Sequence, residues 1–221
     1  VCGRFALAET GERLAAEFGA PVPGGLVARY NIAPRQAVWA VRAAPGGGRQ
    51  FARLRWGLVP RWAADPSLGD RLINARAETL ARRPAFSEAY RRRRCLVPAT
   101  AFYEWERTAG RKRPWCIRRR DGRPLALAAL WERWEPPGGA PVESCAIVTT
   151  EANDLVRPVH GRMPAVLAPA AWDLWLDPAA GPGDLAALLS PCPSEELEIY
   201  PVSPAVNDPR RDDPGLLAPL S

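Results

Sequence analysis

Residues Ala37 to Ala44 are apolar except for Arg42, and Gln50 to Trp56 mixes apolar and polar positions, with Pro45-Gly46-Gly47-Gly48 between the two stretches. Two strand-like stretches joined by such a turn predict a β-hairpin. Before it, Thr10 to Gly19 reads as a short helix. Thr10 is the N-cap, Leu14, Ala15 and Phe18 share one face, and Gly19 is the stop. Between Asn74 and Arg94 the pattern is mixed and predicts two short helices broken at Pro84, with the basic run Arg91 to Arg94 at the second C-terminal end. Strands are then predicted at Cys95 to Pro98, Phe102 to Glu106, Trp115 to Arg119, Leu125 to Trp131 and Ser144 to Thr149, with turns at Asp121-Gly122 and Pro136-Pro137-Gly138-Gly139. Their even spacing suggests sequential antiparallel pairing. A capped helix at Thr150 to Val156 leads into His160, helices follow at Pro169 to Leu176 and Gly183 to Leu189, and Leu197 to Val202 is a last strand. The expectation is one α+β domain over residues 1–221, with a β-rich, largely antiparallel barrel-like core, several short helices and an irregular tail from about Asp208.

Composition narrows this picture. Nine tryptophans and 47% hydrophobic residues in 221 positions exclude a disordered chain. No apolar run is long enough to span a bilayer and no signal-peptide pattern opens the chain, so the expected location is cytoplasmic, with no membrane partner. The five cysteines are widely spread, without a C-x-x-C pair or a histidine-rich neighbourhood, and read as reduced thiols rather than zinc ligands. Net charge is +6, carried almost wholly by arginine because Lys112 is the only lysine. A basic chain of this kind suits a polyanion, although the same excess also serves solubility. A monomer is expected.

Chemistry begins at Cys2, in Val1-Cys2-Gly3-Arg4-Phe5. Val1 reads as an alternative start codon translated literally. Removal of the initiator would leave Cys2 with a free α-amine beside its thiol, a pair able to attack an aldehyde twice and close a thiazolidine ring. Cys2 is equally readable as a small buried hydrophobe. His160, the only histidine, lies in a loop-like stretch suited to acid–base work or to a structural role. Glu104 is set among aromatics in Phe102-Tyr103-Glu104-Trp105. Desolvation there would raise its carboxyl and make it a proton donor, whereas strict alternation would turn Phe102 and Glu104 to solvent. Asn74 reads as a helix cap or an orienting amide, and Arg76 and Glu78 as a surface pair. Trp56, Arg61 and Trp62, with Arg4, Arg76 and Arg162, interleave ring faces and guanidinium groups as a single-stranded nucleic-acid surface does, while tryptophans equally serve as core.

Seven ordered motifs together resemble the SOS response-associated peptidase (SRAP) family, the thiol-dependent shields of abasic sites in single-stranded DNA. They are Cys2-Gly3-Arg4-Phe5, Tyr30-Asn31-Ile32-Ala33-Pro34, Trp56-Gly57-Leu58-Val59-Pro60, Asn74-Ala75-Arg76 with Glu78-Thr79, Arg94-Cys95-Leu96-Val97-Pro98 running into Phe102-Tyr103-Glu104-Trp105, His160 with Arg162-Met163-Pro164, and Val202-Ser203 with Val206-Asn207. The resemblance implies a lyase-like, crosslink-forming enzyme whose Cys2, after loss of residue 1, forms a thiazolidine with the ring-opened abasic aldehyde. It implies Asn74, Glu104 and His160 as the other active-site residues, and Arg4, Arg76, Arg162 and the segment Trp56 to Trp62 as contacts to a DNA partner. No metal or organic cofactor is needed, because the aldehyde is already electrophilic. The alternative is a thiol peptidase with Cys2 as nucleophile and His160 as base; self-removal of residue 1 suits either.

Overall fold

A computed structural model describes residues 2–108 and 111–220, so the expectation about Val1 falls outside it. In chain order the elements are β1 (Phe5–Leu7), α1 (Gly11–Phe18), β2 (Arg29–Ile32), β3 (Ala37–Ala43), β4 (Arg49–Trp56), β5 (Asn74–Arg76), α2 (Ser87–Arg92), β6 (Arg94–Ala99), β7 (Ala101–Thr108) and β8 (Arg111–Arg119). They continue with β9 (Leu125–Trp134), β10 (Val142–Glu151), β11 (Arg162–Pro164), α3 (Trp172–Leu176), α4 (Pro182–Ala187) and β12 (Leu197–Pro201). The α+β expectation is met. Helix α1 is bounded as its sequence predicts: the Thr10 side chain accepts from the Arg13 N–H, and Gly19 closes the helix at φ +60°.

Five strands close a barrel, because β10 pairs with β4 on one side and with β9 on the other, while β4, β3, β6 and β9 pair in turn. A second, antiparallel sheet runs β12-β8-β7-β1-β2. Sequential pairing fails in two places. β6 and β7 are consecutive but belong to different layers, and the chain crosses at Thr100, whose N–H donates to Ala6 O (2.7 Å) and whose hydroxyl receives the Ala8 N–H (2.8 Å). The Asp121-Gly122 turn likewise carries the chain from β8 in the sheet to β9 in the barrel instead of closing a hairpin.

The two faces of the sheet are covered by different parts of the chain. Phe5, Phe102 and Ile117 join the main core with Trp56, Leu54 and Leu96 of the barrel, while Tyr103 and Cys116 pack under Val202, Val206 and Leu216 of the C-terminal segment. Both faces of β7 are therefore dry at Phe102 and Tyr103, and the alternation that would have turned Phe102 and Glu104 to solvent does not apply. The tail is packed, with a short 3-10 turn at Pro214–Leu217, and the buried Asn31 amide donates to the carbonyls of Asp208 (3.0 Å) and Arg211 (2.8 Å).

Two predicted helices are absent. Asn74 to Arg76 forms a strand beside Ile147 to Thr149, and residues 154–159 form turns, opened by Asn153 Oδ1 receiving the Val156 N–H at 3.0 Å. The first departure has a tertiary cause. β4 leaves the edge of β10 at Trp56, opposite Cys145, and β5 rejoins the same parallel edge two residues further on, opposite Ile147. Local propensity carries no trace of such a rejoining. The intervening excursion is pinned by Gly57, at φ +130°, where an added Cβ would stand 2.6 Å from the Gly69 carbonyl oxygen. Gly57→Ala is expected to cost about 2–4 kcal/mol by combining backbone strain with overpacking. A thermal melt should show its Tm lowered by several degrees; an unchanged Tm would mean that the excursion is not held there.

Candidate active site

The seam between barrel and sheet brings candidate site residues together. β1 holds the chain start against β7 through Phe5 opposite Phe102 and the Tyr103 N–H donating to Arg4 O (3.0 Å). Just upstream, the Cys2 backbone nitrogen donates to Glu104 Oε1 at 2.6 Å. From the barrel side, Asn74 Nδ2 donates to the Cys2 carbonyl at 3.1 Å. The strand that replaced the predicted helix is what aims Asn74 at residue 2.

Electrostatics follow from this burial. Cys2 is fully buried, and burial first, with the Glu104 charge second, pushes its thiol well above the ordinary range. Glu104 is 2% exposed, and burial raises its carboxyl, opposed by the nearby His160 and by the Cys2 N–H. The site thus holds a protonated thiol against a carboxyl whose burial favours its neutral form. His160 is set by its own loop: its N–H donates to Val156 O (3.0 Å), and its Nδ1 lies 3.0 Å from the Arg162 N–H and 3.1 Å from the Arg162 carbonyl oxygen. Nδ1 therefore meets a backbone acceptor in one tautomer and a backbone donor in the other.

An open groove of about 790 Å³ lies over these groups, lined by Arg4, Glu104, Trp105, Lys112, His160 and Asn207 among others. Arg4 is fixed by Nη1 to Asn31 Oδ1 (2.7 Å) and Val206 O (2.8 Å), with its guanidinium 5.8 Å from the Trp105 ring centroid. Trp105 Nε1 donates to Asn207 Oδ1 at 2.6 Å. The tail is therefore one wall of the groove. Asn31, Trp105 and Asn207 were not singled out from sequence, although each stands in one of the seven motifs. Their roles depend on contacts across more than a hundred residues of chain.

The proposed surface residues divide. Trp56 is fully buried, gives its indole N–H to Ile73 O (2.9 Å) and meets Phe5 edge-on at 5.2 Å, so its ring is core and offers no stacking face. Trp62 is 62% exposed, and Arg61 is exposed beside it, 3.5 Å from Glu132; both sit on the turn after Val59, outside the lining of the groove. Arg76 is exposed on β5. Arg162 is mostly buried, with its guanidinium on Glu78 and on Thr149 O.

The sequence profile described as "SOS response associated peptidase (SRAP)" matches residues 1–209. The chain belongs to the SRAP family. Among its SRAP relatives, the abasic site processing protein YoqW of Bacillus subtilis is 37% identical over 98% of this chain and 99% of that protein. The abasic site processing protein HMCES of Gallus gallus is 34% identical over 78% of the chain, which covers 58% of that longer protein. A solved structure from Bacteroides thetaiotaomicron shares the SRAP fold at TM-score 0.90 and 24% identity, with all of both chains covered. Another from Bordetella bronchiseptica reaches 0.81 at 29% identity, covering 91% of this chain and 100% of that one. Among the described residues no helix is long and apolar enough to cross a membrane.

Asn31→Ala tests the groove wall. The substitution strips partners from Arg4 and from three tail carbonyls, and about 2–4 kcal/mol of stability should be lost. Limited proteolysis should then cut within residues 203–212 before the rest of the chain opens. A variant with the parent's Tm and cleavage pattern would show that the tail is held elsewhere.

Proposed function

We propose that this chain binds single-stranded DNA at abasic sites and crosslinks to the ring-opened sugar through Cys2, once residue 1 has been removed. The observation that carries this reading is the 2.6 Å approach of the Cys2 nitrogen to Glu104 Oε1, with the Cys2 carbonyl held by Asn74. In the mature chain that nitrogen is the α-amine, and its nearest neighbour is a carboxyl tuned to accept and return protons. The names of the YoqW and HMCES relatives support the same substrate.

The residues divide the work as follows. Glu104 takes a proton from the ammonium, and the freed amine attacks the C1′ aldehyde to give a carbinolamine. Glu104 protonates the departing hydroxyl, and water leaves as the imine forms. The Cys2 sulfur then adds to the imine carbon while its proton passes through Glu104 to the imine nitrogen. The balance is aldehyde plus aminothiol giving thiazolidine plus water. His160, beside Glu104 and lining the groove, is placed to polarise the sugar hydroxyl and assist ring opening. Asn74 orients the nucleophile. A thiol held as S–H suits a second, late addition to an imine better than the resting thiolate of a cysteine peptidase.

Incubation with a single-stranded oligonucleotide bearing one abasic site should give an adduct that survives a denaturing gel. Cys2→Ala should abolish that stable species. Cys2→Ser, which keeps the amine, should leave an adduct trapped only by borohydride. Glu104→Gln should slow formation by about a hundredfold or more. Full yield of denaturation-stable adduct from Cys2→Ala would overturn the reading.

A further inference from the structure

Glu78 occupies the forked face of the Arg162 guanidinium. Its carboxylate is held in a two-bond fork by Arg162, with Nη1 to Oε1 at 3.0 Å and Nη2 to Oε2 at 3.1 Å. That is the planar, bidentate geometry a guanidinium also offers to phosphate. Arg162 is anchored independently of Glu78: Nη2 donates to the Thr149 carbonyl at 2.6 Å, and the Arg162 backbone contacts His160 Nδ1. The guanidinium side is 17% exposed and the Glu78 side 47%, so the carboxylate is the partner free to swing away. Exposed Arg76 stands two residues before Glu78. Burial works to raise the Glu78 carboxyl, but the Arg162 hydrogen bond and the charges of Arg162 and Arg76 outweigh it and hold the group below its ordinary value.

We propose that Glu78 is a built-in competitor for a phosphate site formed by Arg162 and Arg76 next to His160, and that an incoming phosphodiester binds there by displacing it. The identification of the anion as a strand phosphate rests on the DNA reading of the groove. Binding exchanges one ion pair for another, so a strand with nothing for Cys2 to react with gains little at this position. Glu78 acts as a specificity residue by weakening the hold on undamaged strands, while Arg162 remains oriented to keep His160 in place.

The test is binding of an intact single-stranded oligonucleotide by fluorescence anisotropy across a salt series, for the parent, Glu78→Gln and Glu78→Asp. Glu78→Gln should bind about tenfold more tightly at low salt, and its log–log salt slope should steepen by about 0.7, the value for one more phosphate neutralised on a single strand. Glu78→Asp keeps the charge and should stay near the parent. Inorganic pyrophosphate, used as a minimal anion, should raise the Tm of Glu78→Gln more than that of the parent. Equal or weaker strand binding by a folded Glu78→Gln, with an unchanged slope and no added response to pyrophosphate, would overturn the proposal. Selective stabilisation by pyrophosphate with no strand binding by any of the three proteins would keep the anion site and defeat the DNA reading instead.

Discussion

A carboxyl group buried against the backbone nitrogen of the second residue is the constraint on which the site depends. Burial of Glu104 disfavours its charged form, and the Cys2 N–H together with nearby His160 offsets part of that cost. Such a group weakens the fold unless it serves a purpose, and the proposed purpose is proton transfer at the nitrogen 2.6 Å away. The protonated thiol of Cys2 fits the proposed order of steps, in which the sulfur adds only after an imine has formed.

The architecture makes that burial possible. β7 is dry on both faces at Phe102 and Tyr103, because the barrel covers one side and the C-terminal segment the other, and the adjoining Glu104 carboxyl is buried with them. β5 rejoins the edge of β10 and delivers Asn74 to residue 2. Asn31 ties the tail to Arg4, and through Arg4 and Trp105 to the groove. Arg162 links the outer rim to the inner chemistry, with its guanidinium on Glu78 and its peptide group on His160.

Much of this was legible in the chain. Helix α1 carries its own stop signals, the hairpin of β3 and β4 is written in a glycine turn, and the ordered motifs point to Cys2, Asn74, Glu104 and His160 together. What escaped was long-range. The strand at Asn74 exists only because β10 has a free edge to pair with, and the crossing at Thr100 breaks a regular strand spacing without any local sign. Trp56 looked like a platform because it neighbours Arg61 and Trp62, yet Gly57 turns the backbone between them and leaves the first ring in the core and the last exposed. The packing of the tail depends on one amide far upstream, which its local sequence does not announce.

The central claim is that residue 2 carries the reactive amine and thiol, and intact mass reads it directly. Measured before and after incubation with an abasic oligonucleotide, the free protein should have the mass of residues 2–221. The product should weigh the sum of protein and oligonucleotide less one water. Retention of residue 1 in a protein that still crosslinks, or an adduct without the loss of water, would contradict the account.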